Sequence, residues 1–112
     1  MRINMVDHNG TISDDVRDFA ERRLRFALSR FGGEIRQVLL VISDTNGPRG
    51  GVDQLCKVSV RFRRLPTLVA SHQDAGLRPC LAKVAEKAGR AVSRKLSRDP
   101  KWHRTSRPIP SS

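Results

Sequence analysis

Tyrosine is absent from the sequence, tryptophan occurs once and phenylalanine four times. An aromatic share of 4% restricts the core. It also leaves little for stacking nucleic-acid bases, because Phe19, Phe31 and Phe62 fall at core positions. Cysteine is scarce too. Cys56 and Cys80 lie far apart and form no Cys-x-x-Cys pair, so they read as two buried thiols in a reducing cytoplasm. A zinc site needs clustered ligands, and His8, His72 and His103 are scattered singly. No apolar run reaches the ~20 residues that span a bilayer as a helix. Met1–Met5 leads into Asp7 and His8 without an apolar signal core, so secretion is not expected. Catalytic signatures are missing as well. There is no nucleophile motif and no phosphate-binding glycine loop of the P-loop type. Asp14 and Asp15 look like a paired carboxylate, but the helix dipole favours acids in a first helical turn. Neither an enzyme nor a cofactor is expected.

Acids are the remaining shortage, at 11 against 22 lysines and arginines in 112 residues. The net charge is +11 and the pI about 11.4. So basic a small chain carries the electrostatic footprint of nucleic-acid binding. An anionic membrane surface is the main competitor, but no helix joins a basic face to bulky Trp, Phe or Leu anchors. The length suits one domain with little to spare.

Arg2–Val6 alternates and predicts a first strand, closed by the turn cluster Asp7-His8-Asn9-Gly10. Ser13 is a suitable N-cap for a helix in which Val16, Phe19, Ala20, Leu24, Ala27, Leu28 and Phe31 keep helical period, ended by Gly32-Gly33. Glu34–Ser43 holds the run Val38–Ile42 and predicts a second strand. The glycine-rich stretch 44–53 reads as a loop. Leu55–Arg63 sets Cys56, Val58, Val60 and Phe62 on one face and Lys57, Ser59, Arg61 and Arg63 on the other. After Leu65-Pro66, Thr67–His72 predicts a fourth strand. A second helix is expected from Leu77 to Arg98, with Gly76 as its cap, Pro79 in its first turn and Asp99-Pro100 as its stop. The order β-α-β-β-β-α predicts an α+β two-layer sandwich: a four-stranded mixed sheet with two helices packed on one face. The first two strands should be parallel across a right-handed crossover, and the rest antiparallel. Residues 1–98 form the expected domain, and 99–112 a flexible basic tail.

The second helix holds the most informative pattern. Lys83, Lys87, Arg90 and Arg94 recur at helical spacing, with Arg98 one turn on, while Leu81, Val84, Ala88, Val92 and Leu96 fall on the other side. A run of charge ordinarily just keeps a helix face wet. Here Glu86 is the only acid on that helix, so the alternating signs of a salt-bridged surface are missing. Arg22 and Arg25, with Arg17 as a further candidate, add an outward basic set on the first helix. Arg61 and Arg63 fit either RNA contact or protection of a strand edge. Arg49 and, in the tail, Lys101, Trp102, Arg104 and Arg107 are weaker candidates.

The chain resembles the ribosome hibernation-promoting factors, also called ribosome-associated inhibitors or sigma-54 modulation proteins, over nearly all of residues 1–98. The resemblance is carried by Ser13–Phe19 with Glu21–Leu24, by the loop Asn46–Asp53, which is seen in one short subgroup, and by Asp74-Ala75 through Ala88–Val92. One stretch departs from the family pattern. Its last helix usually opens with Asp, a hydrophobic residue and Tyr-Ala-Ala-Ile-Asp, where this chain has Gly76 to Ala82 with neither the aromatic nor the two acids.

The resemblance implies a stress-response translation inhibitor in the cytoplasm, monomeric off the ribosome. It implies binding to the small ribosomal subunit and its 16S rRNA, between head and body, where messenger and transfer RNA would otherwise sit. It implies the short form of the family, and no small-molecule substrate. On this reading Arg22, Arg25, Lys83, Lys87, Arg90 and Arg94 contact rRNA phosphates, which give affinity and position rather than sequence readout. The alternatives are a generic structured-RNA or DNA binder, and a protein-binding regulator of transcription.

Overall fold

The computed structural model describes residues 1–8, 12–44 and 54–98. Of the expected loop 44–53, Asp44 falls in a strand and pairs with Gln54, and 45–53 with Arg49, the Asn9-Gly10 turn, the Asp99-Pro100 stop, His103 and the tail with Trp102 lie outside the described residues. The elements are β1 (Arg2–Asp7), α1 (Asp14–Leu28), β2 (Ile35–Asp44), β3 (Gln54–Phe62), β4 (Leu68–Asp74) and α2 (Leu77–Ser97). The expected β-α-β-β-β-α order is the order found.

The sheet runs β1-β2-β3-β4, with β1 parallel to β2 and the other pairs antiparallel. Alternation along each strand sorts the side chains by face. Ile3 and Met5, then Val38, Leu40 and Ile42, then Cys56, Val58, Val60 and Phe62, then Leu68 and Ala70 meet the core. Ala20, Leu24 and Leu28 of α1 and Leu81, Val84, Ala88, Val92 and Leu96 of α2 are buried in the same cluster, so both helices cover one face. The other face is open. Register sets Arg2, Gln37 and Arg61 in one row across it, and Val6, Val41, Lys57 and Ser71 in another. Val6 and Val69 are 42% and 57% exposed there.

Local chemistry fixes the helix ends. The Ser13 hydroxyl accepts from the Val16 amide at 3.3 Å, and Asp14 and Asp15 occupy the positive end of α1. The helical period reaches Phe31, as the sequence suggests, but α1 stops at Leu28 and Ser29–Phe31 tighten into a 3-10 turn. That turn still buries Phe31. At α2 the extended Gly76 is the cap. Pro79 is the third helical residue, where a missing amide breaks no intrahelical bond.

Asp74 supports the entry to α2. It accepts from the Gly76 amide at 3.4 Å and faces His72 Nε2 at 3.4 Å. The Gly76 amide is the main cause holding its carboxyl below the ordinary value; burial opposes it, and His72 and the Ala75 amide add to the lowering. A lowered folded-state value stabilises the fold above the ordinary carboxylate range. That contribution disappears as pH falls through the lowered value. Asp74→Asn is therefore expected to lower the melting temperature at neutral pH and to leave it unchanged in strong acid. Thermal melts across pH check this; an equal deficit at both ends would contradict it.

The two helices approach closely at Gly89. A Cβ there would stand 3.1 Å from the Ala27 carbonyl oxygen and 3.3 Å from the Ala27 Cβ. Helix spacing at this crossing is set by the absence of a side chain.

Candidate nucleic-acid interface

At 100° per residue, Lys83, Lys87, Arg90 and Arg94 fall within about 60° of arc on α2, away from its buried stripe. All four are exposed. α2 carries six basic residues to one acid. Lys83 and Arg94 have no ion pair among the described residues. The other two are partly engaged. Lys87 Nζ donates to the Ser71 carbonyl at 3.3 Å, leaning toward β4. Arg90 lies 3.9 Å from Glu86, which also stands 3.8 Å from Arg23 of α1. Both Glu86 contacts are long and solvent-exposed, so they screen the row without cancelling it.

On α1, Arg22 is exposed and has no ion pair among the described residues. Arg25 is different. Its Nε donates to Glu21 at 3.0 Å, and it sits about 200° around the helix from Ala27, the residue that meets α2. Arg22 and Arg25 both point away from the Ala27 contact, and the α1 cation that faces α2 is Arg23, through Glu86.

Arg98, one turn beyond Arg94, continues the row, whereas Lys95 lies about 80° round the helix from Lys87, the nearest of the four. Arg94, Lys95 and Arg98 border a groove floored by Leu65, Pro66 and Leu68, and Lys95 Nζ lies 6.0 Å from the centre of the Phe62 ring. Arg61 belongs elsewhere. It shares the open sheet face with Arg2 and Arg36, on the far side of the sheet from the helices. The edge-protection reading of Arg61 fails, because β3 lies between β2 and β4 and is no edge. Arg63 lies beyond the end of β3, and its amide donates to the Glu34 carbonyl at 3.0 Å.

One residue escaped the sequence reading. Phe26 is 86% exposed on α1, whereas Phe31 and Phe62 are buried as expected and Phe19 is half-buried. Arg78 and Arg23 guanidiniums lie 5.1 and 6.0 Å from the Phe19 ring centre. The signal was available, since Phe26 is off the period of Leu24, Leu28 and Phe31 and shares its side of the helix with Arg22.

The two thiols are structural. Both are free and buried, and Cys80 Sγ donates to the carbonyls of His72 at 3.1 Å and Gln54 at 3.3 Å. Burial first, then the neighbouring Cys80, pushes the Cys56 thiol far above its ordinary value; burial also raises Cys80. Protonated thiols are poor nucleophiles and poor metal ligands. Among the described residues no group of three or more His, Cys, Asp or Glu could hold a metal ion. No helix among them is long and apolar enough to cross a membrane.

No family model matches the chain, and no curated protein matches it in sequence. Its fold does match solved structures. A ribosomal subunit interface protein from Coxiella burnetii superposes with a TM-score of 0.71 at 16% identity, over 88% of this chain and 100% of that one. The N-terminal domain of Protein Y from Thermus thermophilus superposes with a TM-score of 0.64 at 17% identity, over 85% of this chain and 99% of that one. At such identities the likeness is one of fold.

Proposed function

We propose that this chain is a ribosome hibernation factor. In this role it binds the small ribosomal subunit through the 16S rRNA backbone and occupies the channel of messenger and transfer RNA. It needs no catalysis and no cofactor, and it acts in the cytoplasm, under stress, as a monomer until it meets the ribosome. One observation carries the reading: a fold shared with a ribosomal subunit interface protein presents an exposed, one-sided cationic row on its longest helix.

The mechanism is steric occlusion driven by phosphate neutralisation. Lys83, Arg94 and Arg22 meet phosphates directly. Arg90 and Lys87 join by exchanging Glu86 and the Ser71 carbonyl for phosphate oxygens, both exchanges taking place at exposed positions. Arg25 contributes from the outer flank of α1 once Glu21 releases it. Shape complementarity to folded RNA, rather than base-edge readout, supplies selectivity.

Gradient sedimentation with purified small subunits tests this. At low salt the chain is expected to travel with the subunit, to suppress translation in vitro and to be displaced by messenger RNA. With six phosphates engaged, raising salt from about 50 to about 200 mM weakens binding by about a thousandfold. A chain that stays at the top of the gradient, or prefers free duplex RNA to subunits, rules the proposal out.

A further inference from the structure

We propose that Phe26 is a stacking platform for one unpaired RNA base, with Arg30, Arg90 and Arg94 holding the phosphates on either side of it. The inference rests on the RNA-binding reading and adds a contact that phosphate neutralisation does not supply. An 86% exposed phenylalanine on a helix is costly to keep in water, and Phe26 does not stand alone. It forms one wall of a groove between α1 and α2 whose lining includes Ala27, Gly89 and the three arginines. Ala27 and Gly89 carry a methyl group and no side chain at all, so beside the ring the floor is low and apolar. Ser93 also lines the groove and brings a hydroxyl that donates to or accepts from a base edge.

The guanidiniums are positioned for this role. Arg30 is braced over the Phe31 ring at 4.7 Å, which holds it at the α1 end of the groove. Arg90 and Arg94 come from the α2 row and line the same groove as Phe26, so phosphates held by them lie alongside it. Glu86 is the single acid in the lining, and Arg90 and Arg23 already face it.

The occupant must therefore offer a flat apolar surface between negative charges. An unpaired nucleotide does so, because every base has a π-face and carries its phosphates alongside. A second copy of the chain does not, since it would bring like-charged rims together in a protein of net charge +11. A membrane surface is a poor fit, because one phenylalanine is too little apolar anchorage.

The test compares two single-stranded decamers with equal phosphate counts, one of uridine and one of abasic ribose. Uridine strands are weakly self-stacked, so binding need not first separate bases. Fluorescence anisotropy of the full chain is expected to show tighter binding to the uridine strand. Phe26→Ala should weaken that binding by roughly tenfold, leave the abasic strand unchanged and keep the same salt slope. Phe26→Trp should restore it, and Phe26→Leu, which keeps the apolar bulk without a ring face, should not. Equal binding of both strands by the native chain, no binding of either, or indifference to Phe26→Ala overturns the proposal. So does a dimer in sedimentation velocity that Phe26→Ala dissolves, which would make the groove a self-association site. Subunit cosedimentation is measured separately. A chain that binds subunits without any uridine preference loses the stacking site and keeps the function.

Discussion

Replacing Lys83 and Arg94 together by glutamate is expected to weaken small-subunit binding on the order of a hundredfold at ~0.1 M salt. The two positions are chosen because the structure leaves them unencumbered. Both are exposed on α2 and neither has an ion pair among the described residues. Reversal there removes two phosphate contacts and adds two repulsions without disturbing the core. Reversal at Arg90 or Lys87 is harder to interpret, since it also releases Glu86 or alters the contact with Ser71. The salt dependence gives a second, independent readout: the slope of log affinity against log salt should fall by about 2. Lys57→Glu, an exposed cation on the uncovered face of the sheet, is the matched control and should leave binding unchanged. Equilibrium binding to labelled subunits over a salt series measures both quantities. Full retention by the double variant would show that the α2 row is only a solvated face. About half the logarithmic loss with Lys57→Glu alone, in proportion to its single reversal, would show that net charge, not placement, governs association.

Leu40→Ala is expected to be the most damaging conservative change to the fold. Leu40 is 0% exposed on β2, the strand that pairs with both β1 and β3. Truncating such a residue removes buried apolar surface and leaves a cavity between sheet and helices, at a cost of about 2–5 kcal/mol. Small domains are stable by only about 5–15 kcal/mol, so the loss is a large fraction of the whole. Urea denaturation should show a lower midpoint with an unchanged slope. Val69→Ala, with its side chain 57% exposed on the open face, should change stability by no more than about 0.5 kcal/mol. Similar penalties at the two sites would mean that the sheet does not have one covered and one open face.

Much of this architecture was legible because the apolar periods are clean. Cys56, Val58, Val60 and Phe62 alternate as a half-buried strand must, and all four are buried. Leu81, Val84, Ala88, Val92 and Leu96 keep the helical period, and all five are buried in α2. Strand ends were less well placed. β4 continues to Asp74, past the expected His72, because pairing with β3 extends to Gln54. Cross-strand register is a property of two segments, and neither segment alone encodes it. The edge-protection reading of Arg61 failed for a related reason, since strand order in a sheet is not visible within any one strand.

The candidate site was legible in charge but not in engagement. Helical spacing placed Lys83, Lys87, Arg90 and Arg94 on one face. Which of them would meet Glu86 or the Ser71 carbonyl depended on packing against α1 and β4. Arg22 and Arg25 looked equivalent in sequence, and the ion pair of Arg25 with Glu21 separates them. The sequence assigns Phe19, Phe31 and Phe62 to the core and leaves Phe26 without a role. Its place on the wheel, among arginines, argued otherwise.

The bare α-carbon at position 89 has a consequence beyond tight packing. It works as a gauge, fixing how far apart α1 and α2 stand and so the width of the groove between them. A single methyl group there would open that gauge by a few tenths of an ångström while leaving every cation in the sequence untouched. The calibre of that groove is thus written in an atom the chain does not have.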